Sequence, residues 1–245
     1  LKNIPLHLLP TNKTEECIVC SNVDWLMNKF DFAYVPNAAF FSIQKKKNIL
    51  ANIKIKSNKP IFLGIGNPNL EVKRKTNSQN IAKKINKLTQ TMSRGSFVRD
   101  TAEIKNIYGL VEGSQEELET IQKYLVPSKS KLLLWDDANE KNIKDMNLKD
   151  FKIIHFATHG ELAGTIKGQN EPFLVLTPPK IGTNENDGLL TMSEIMNLQN
   201  NAELVILSAC NTAGGNIKQS EGFSGLARAF LFSGSKSVLV SNWYV

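Results

Sequence analysis

Two short apolar stretches decide the fold: FKIIHFATHG at residues 151–160 and LVILSACNTAGG at residues 204–215. Each is rich in Ile, Val, Leu and Phe, and each leads into a potential base or nucleophile followed by small residues. Apolar runs of this length, bounded by glycine, are typical of buried strands. Because ligand chemistry in a parallel α/β sheet collects at the carboxyl ends of the strands, we expect His159 and Cys210 at one edge of one sheet.

The two residues have the chemistry of a cysteine–histidine dyad. A cysteine needs a base and a low thiolate pKa to act as a nucleophile, and histidine suits that task near neutral pH. His155 lies four residues before His159, about 13 Å away along a strand, and we predict a core histidine with a hydrogen-bond partner there. The HxxxH spacing suits a metal pair on a helix, but on a strand the rings are too far apart. The sequence therefore predicts neither a metal site nor a cofactor.

Length and composition set the class of protein. The chain has 245 residues, enough for one large domain or two small ones, and 41% apolar residues, enough for a core. Its apolar runs fall short of the roughly 18 residues that a membrane span needs. Three cysteines do not make a disulfide framework. These features predict a cytoplasmic protein without a membrane span, and a chain that opens on Leu1 is expected to be a fragment of a longer protein.

The positive charge is concentrated upstream of the two motifs. The net charge is +7, of which residues 1–150 carry +8 and residues 151–245 carry −1. Such a surplus could contact nucleic acid or an acidic partner. We favour a solvated lysine-rich surface, because no nucleic-acid motif accompanies the charge, so nucleic acid is expected to be an indirect partner if it is one at all.

Further along the chain, strands alternate with helices. Ser114 and Glu117 have the spacing of a capping box at the start of a helix, and Thr191 or Ser193 is expected to cap another. The predicted strands are residues 30–36, 61–68, 131–135, 173–176, 204–209 and 236–243, and the predicted helices include 114–125, 139–146 and 222–233. This alternation predicts an α/β fold with a mainly parallel sheet flanked by helices.

Three other segments have weaker signals. The GIG at residues 64–66 lacks the third glycine of a dinucleotide fingerprint, so a nucleotide-binding regulator is a weak alternative. Cys17 and Cys20 make only half of a zinc site, and we predict buried apolar residues. Residues 69–100 are polar and predict a mobile surface insertion.

Several motifs together resemble those of the CHAT domain, a family of caspase- and separase-like cysteine peptidases. The resemblance covers nearly the whole chain, and the histidine and cysteine motifs are specific in combination. The motifs are YVPN, FLGIGNP, GSQEELETI, LLLWDDAN, HFATHG, LLTMSEI, AELVILSACNTAGG and EGFSGLARAFLFSGSKSVLVSNW.

This resemblance implies a caspase-like α/β/α sandwich formed by one domain, residues 1–245, with a scaffold part at 1–130 and a catalytic part at 131–245. It implies His159 as general base and acid and Cys210 as nucleophile. The oxyanion hole would be formed by the backbone N–H groups of Gly160 and Cys210.

The substrate pocket implied by the resemblance lies around Ser208, two residues before the cysteine. Related enzymes that select a basic side chain have an aspartate there, so Ser208 does not by itself carry that specificity over. The candidate substrate-binding residues are Ser208, Ser241, Trp243 and Glu221.

The predicted function is therefore a cysteine endopeptidase that cleaves a protein substrate through a thioester. Family members often follow TPR repeats, so an upstream TPR or sensor region is the expected regulatory partner. The alternative is a catalytically silent caspase-like module that binds another protein.

Overall fold

A computed structural model describes residues 29, 60–70, 104–105, 107–166, 169–209 and 220–240, with side chains in the last range from residue 225 onward. All of these except Lys29 belong to one compact unit, residues Ile49–Val245. The strands are β1 (Phe62–Pro68), β2 (Ser130–Trp135), β3 (Ile153–Ala157), β4 (Gly160–Glu161), β5 (Phe173–Val175), β6 (Leu189–Thr191), β7 (Leu204–Ser208) and β8 (Val238–Val240). The helices are α1 (Ser114–Tyr124), α2 (Glu140–Asp145), α3 (Met192–Asn197) and α4 (Ser220–Phe232).

The main sheet within the described residues has five parallel strands in the order β2-β1-β3-β7-β8. The two stretches that decide the fold supply its third and fourth strands, which are neighbours. Their register pairs Ile153 with Leu204 and Ala157 with Ser208. The predicted parallel α/β sheet is therefore confirmed.

Helices cover both faces of this sheet. Successive side chains of a strand point to opposite faces, so each face presents its own set of apolar residues to a helix. On one face, Phe62 and Ala157 pack with Leu118 of α1. On the other face, Ile65 and Phe156 belong to a larger core with residues of α2, α3 and α4, namely Ile143, Ile195, Leu226, Ala229 and Phe230. The predicted α/β/α sandwich is confirmed, and it is consistent with a caspase-like fold.

The glycines of β1 let α1 approach the sheet closely. A Cβ atom on Gly66 would lie 2.6 Å from the carbonyl oxygen of Ala157 and 2.8 Å from Cδ1 of Leu118. A Cβ atom on Gly64 would lie 2.7 Å from Cδ2 of Leu132. The GIG segment thus has a packing role, which is the close contact between helix and strand.

Helix α1 does not begin with the predicted capping box. Its N-cap is Gly113 at φ 78°, and no side-chain cap is formed. Ser114 is already the first residue of the helix, and its hydroxyl donates to the carbonyl of Val111 at 2.9 Å. The box was wrong because a glycine with a left-handed backbone takes the cap position, which frees Glu117 for other contacts.

Helix α3 begins as predicted. Thr191 is its N-cap, and the Thr191 side chain and Glu194 form both hydrogen bonds of a capping box. Of the two caps proposed from the sequence, the structure uses Thr191, while the Ser193 hydroxyl donates to Glu171 at 2.6 Å.

A buried carboxylate joins α2 to the loop before β6. Glu140 is completely buried and accepts hydrogen bonds from the backbone N–H groups of Asp187 at 2.7 Å and Gly188 at 2.5 Å. Lys144 donates to Glu140 at 2.8 Å and to Glu194 at 2.7 Å. Burial raises the pKa of Glu140, and these donors oppose that rise. This network joins α2, the loop before β6 and α3 to one another.

A second, antiparallel sheet follows β3 directly, with the order β4-β5-β6. The predicted short strand at residues 173–176 is β5. The predicted strand at residues 236–243 is described as far as residue 240, as β8.

Several predictions fall on residues outside the described part. These are Cys17, Cys20, the strand at residues 30–36 and most of the insertion at residues 69–100. The division into parts at residues 1–130 and 131–245 remains a prediction. Among the described residues, no helix has the length and apolar character needed to cross a membrane.

Candidate active site at the sheet edge

The structure describes part of the predicted site. His159 follows the carboxyl end of β3, Gly160 begins β4, and Ser208 ends β7. The side chain of Glu221, at the start of α4, is outside the described part. Cys210, Ser241 and Trp243 are outside it as well.

The ring of His159 is held by a segment that lies far away in the sequence. Its Nε2 atom lies 2.8 Å from the carbonyl oxygen of Gly109. A carbonyl oxygen only accepts, so Nε2 must carry the hydrogen of this bond, and in a neutral ring Nδ1 is then the basic nitrogen. The ring also packs on Tyr108, with 5.4 Å between the ring centroids and 35° between the planes. These contacts fix both the orientation and the tautomer of the imidazole.

The backbone around His159 is anchored to both neighbouring strands. Thr158 donates its N–H to the carbonyl of Ser208 at 3.2 Å and its hydroxyl to the carbonyl of Val175 at 2.5 Å. The carbonyl of His159 accepts from the N–H of Val175 at 2.8 Å. The candidate base is therefore attached to β7 on one side and to β5 on the other.

The surroundings of His159 are partly desolvated. Burial raises the pKa of Glu161, and the Thr165 hydroxyl and the nearby His159 oppose that rise. Burial, reinforced by the charge of Glu161, raises the pKa of Tyr108, so this phenol stays protonated. The Tyr108 hydroxyl is buried and has no hydrogen-bond partner among the residues that the structure describes.

His155 is a core histidine, as predicted, and its side chain is 2% exposed. Its Nε2 lies 3.1 Å from Oε1 of Glu117, which is within ion-pair distance. Within the described part of the chain, however, neither ring nitrogen makes a hydrogen bond of good geometry. The predicted core position is therefore confirmed, but the predicted hydrogen-bond partner is wrong, because Glu117 approaches to ion-pair distance without hydrogen-bond geometry.

Glu117 connects this histidine to the end of β7. Its other carboxylate oxygen, Oε2, accepts a hydrogen bond from the hydroxyl of Ser208 at 3.0 Å. The contact with His155 lowers the pKa of Glu117 most, burial opposes this effect, and the Ser208 bond adds to it. The Glu117 side chain is 38% exposed, so an ionised carboxylate beside Ser208 remains accessible to solvent.

Sequence analysis missed Tyr108, Gly109 and the role of Glu117. Gly109 acts through its backbone carbonyl, which has no signature in the sequence, and Tyr108 was not part of any motif. Glu117 had a signal, but the spacing from Ser114 pointed to a capping box.

The described residues contain no group of three or more His, Cys, Asp or Glu side chains that could hold a metal ion. The described residues instead provide an oriented imidazole after the end of β3 and a carboxylate that accepts from Ser208 at the end of β7, the neighbouring parallel strand. These groups suit proton transfer and recognition of a polar substrate.

Comparison with known proteins identifies the family. A search among curated proteins found no match to the chain. The family model of the CHAT domain matches residues 1–245, which is the whole chain. The chain therefore belongs to the CHAT domain family, a caspase-like peptidase family.

Proposed function

We propose that the protein is a cysteine endopeptidase in which Cys210 is the nucleophile and His159 is the general base and acid. Membership of a caspase-like peptidase family supports this function. The observation that carries it is the bond between His159 Nε2 and the carbonyl of Gly109. This bond reserves Nδ1 for proton transfer, which is what a thiol nucleophile requires of its base.

The register of the sheet supports the pairing of the two residues. Ala157 of β3 lies opposite Ser208 of β7. His159 and Cys210 each follow this matched pair by two residues in the sequence. Both candidates therefore come from the carboxyl ends of adjacent parallel strands, where active sites of α/β folds are found.

The chemistry proceeds in two steps. The Cys210 thiolate attacks the scissile carbonyl carbon, and the tetrahedral intermediate collapses to a thioester as His159 protonates the leaving amine. A water molecule then attacks the thioester while His159 takes its proton. This second step releases the carboxylic acid product and restores the thiol.

Gly160 is suited to stabilise the oxyanion. It lies opposite Leu174, and the adjacent bond runs from the N–H of Val175 to the carbonyl of His159. This pattern is that of a non-hydrogen-bonded pair, in which the N–H of Gly160 points away from β5. A backbone donor fixed in this way needs no reorganisation when negative charge develops. The N–H of Cys210 is proposed as the second donor.

Ser208 is the described member of the proposed substrate-binding set, which also includes Ser241, Trp243 and Glu221. Its hydroxyl faces the Glu117 carboxylate at the edge where both proposed catalytic residues follow their strands. The partner class is a protein substrate, and control by an upstream TPR or sensor region is part of the proposal.

Proteolysis of a mixed peptide library tests this function, with cleavage sites identified by mass spectrometry. We expect Cys210→Ala to abolish cleavage and His159→Ala to slow it by about 10²- to 10⁴-fold, because the general acid–base step is lost. Cys17→Ser and Cys20→Ser are matched controls that should retain cleavage. Alkylation at Cys210, measured in the same samples, should slow when His159 is replaced, because the base that favours the thiolate is gone.

Equal cleavage by wild type and Cys210→Ala would contradict the proposal. If Cys210 were also unreactive towards the alkylating agent, the alternative of a catalytically silent interaction module would replace it.

A further inference from the structure

The carboxylate of Glu117 lies at the carboxyl end of β7, the strand that pairs with β3 just before His159. It comes from the first turn of α1, yet it contacts the last residue of β7 rather than its own helix end. Ser208 donates to Oε2 at 3.0 Å, and His155 lies 3.1 Å from Oε1. The contacts span 91 residues of sequence in the case of Ser208, so they are a product of the tertiary fold.

This carboxylate differs from a buried structural acid in its exposure. The Glu117 side chain is 38% exposed, whereas the His155 ring beneath it is 2% exposed. A carboxylate offers about four acceptor positions, and the two contacts leave room for further donors on the solvent side. A cation that approaches from solvent can therefore reach Glu117 without displacing Ser208.

We propose that Glu117 gives the active site a preference for peptides with arginine or lysine at P1, the residue whose carbonyl is attacked. This inference rests on the proposed peptidase function. A guanidinium pairs with a carboxylate through two parallel hydrogen bonds, which adds geometric selectivity to charge attraction. The hydroxyl of Ser208 keeps the carboxylate in position at the end of β7.

The charge state of Glu117 agrees with this role. Its pKa lies below the ordinary value because of the close His155 ring and the Ser208 hydroxyl, despite the opposing effect of burial. The group is thus anionic at neutral pH. Oε1 faces His155 and Oε2 accepts from Ser208, so each oxygen keeps a further acceptor position.

The test compares peptides that differ only in having arginine or citrulline at P1, since citrulline has nearly the same shape but no charge. In the wild-type full-length protein we expect kcat/KM to favour arginine by about ten- to a hundredfold, the range for a hydrogen bond to a charged group. In Glu117→Gln this ratio should fall to near one. Glu116→Gln is the matched control, because Glu116 is an exposed acid of the same helix turn and should leave the ratio unchanged.

Each outcome has a distinct meaning. Equal cleavage of the arginine and citrulline peptides by wild type, or a preference for apolar or acidic P1 residues, overturns the inference but leaves the peptidase in place. An unchanged ratio in Glu117→Gln overturns it as well. If Glu117→Gln does not fold, the wild-type ratio decides. If no P1 variant is cleaved in a Cys210-dependent way, the proposed function fails first, and this inference falls with it.

Discussion

Replacing Gly66 by alanine should destabilise the protein, although alanine is ordinarily the more favourable residue. The added Cβ would lie 2.6 Å from the carbonyl oxygen of Ala157 and 2.8 Å from Cδ1 of Leu118. Both distances are shorter than the contacts that Cβ atoms make in folded proteins. One neighbour is backbone of β3 and the other is a buried side chain of α1, so relief requires the helix and the strand to separate.

The size of the effect follows from two opposing contributions. Overpacking of a well-filled core costs about 1–3 kcal/mol. The reduced freedom of the unfolded chain returns about 0.4–1 kcal/mol when glycine becomes alanine. The expected net loss is about 1–2 kcal/mol, which corresponds to a fall in Tm of roughly 2–8 °C for a domain of this size.

Urea unfolding followed by circular dichroism, together with a thermal scan, measures this loss. Gly109→Ala is the matched control, because a Cβ there would have none of the described atoms within 4 Å. The control should be as stable as wild type or more stable by up to about 1 kcal/mol, because only the reduced freedom of the unfolded chain applies to it. If Gly66→Ala matched or exceeded the stability of the control, the close approach of α1 to β1 would not be the reason for the glycine.

Three further predictions concern polar groups. Glu140→Gln should lower the free energy of unfolding by about 2–4 kcal/mol in a urea titration, because it leaves Lys144 without its buried partner; an unchanged midpoint would contradict this. Thr158→Val should lower the free energy of unfolding by about 1 kcal/mol in the same titration and slow peptide cleavage, because the hydroxyl bond to the carbonyl of Val175 anchors the backbone next to His159. If this variant kept both the stability and the cleavage rate of wild type, the bond would be dispensable. The pKa of Glu117 is lower in the folded protein than its ordinary value of 4.5, so the ionised carboxylate adds stability above pH 4.5, and that stability is lost as the pH falls through the folded-state pKa. The free energy of unfolding of Glu117→Gln should therefore depend less on pH below 4.5 than that of wild type. Identical acid-unfolding profiles for the two proteins would refute this.

The apolar pattern was sufficient to predict the central strands. The run around His155 alternates between two buried faces, and the run ending at Ser208 has the length of a strand. Burial on both faces requires continuous apolar residues, so the pattern is strong and local. The helices that cover the sheet were also predictable, from apolar spacing such as that of Leu118, Ile121 and Leu125.

The walls of the site were not predictable in the same way. The bond between His159 and Gly109 joins residues 50 positions apart, and its acceptor is a backbone atom. The contact between Ser208 and Glu117 depends on how α1 lies on the sheet. Neither contact leaves a periodic or compositional trace, because each depends on tertiary packing rather than on neighbours in the chain.

The two capping-box patterns of the chain show why one acid reaches the edge of the sheet and the other does not. At Thr191 the backbone is extended and the cap side chain is free to bond, so Glu194 closes back on its own helix end. At α1 the glycine cap leaves Glu117 without that partner, and its carboxylate turns to the end of β7 instead. The same short segment, residues 108–117, thus supplies the acceptor that orients His159 and the acid that faces Ser208. A shift of this segment on the sheet would therefore change the proposed base and the proposed specificity together, which connects the packing of β1 against α1 to the chemistry at the sheet edge.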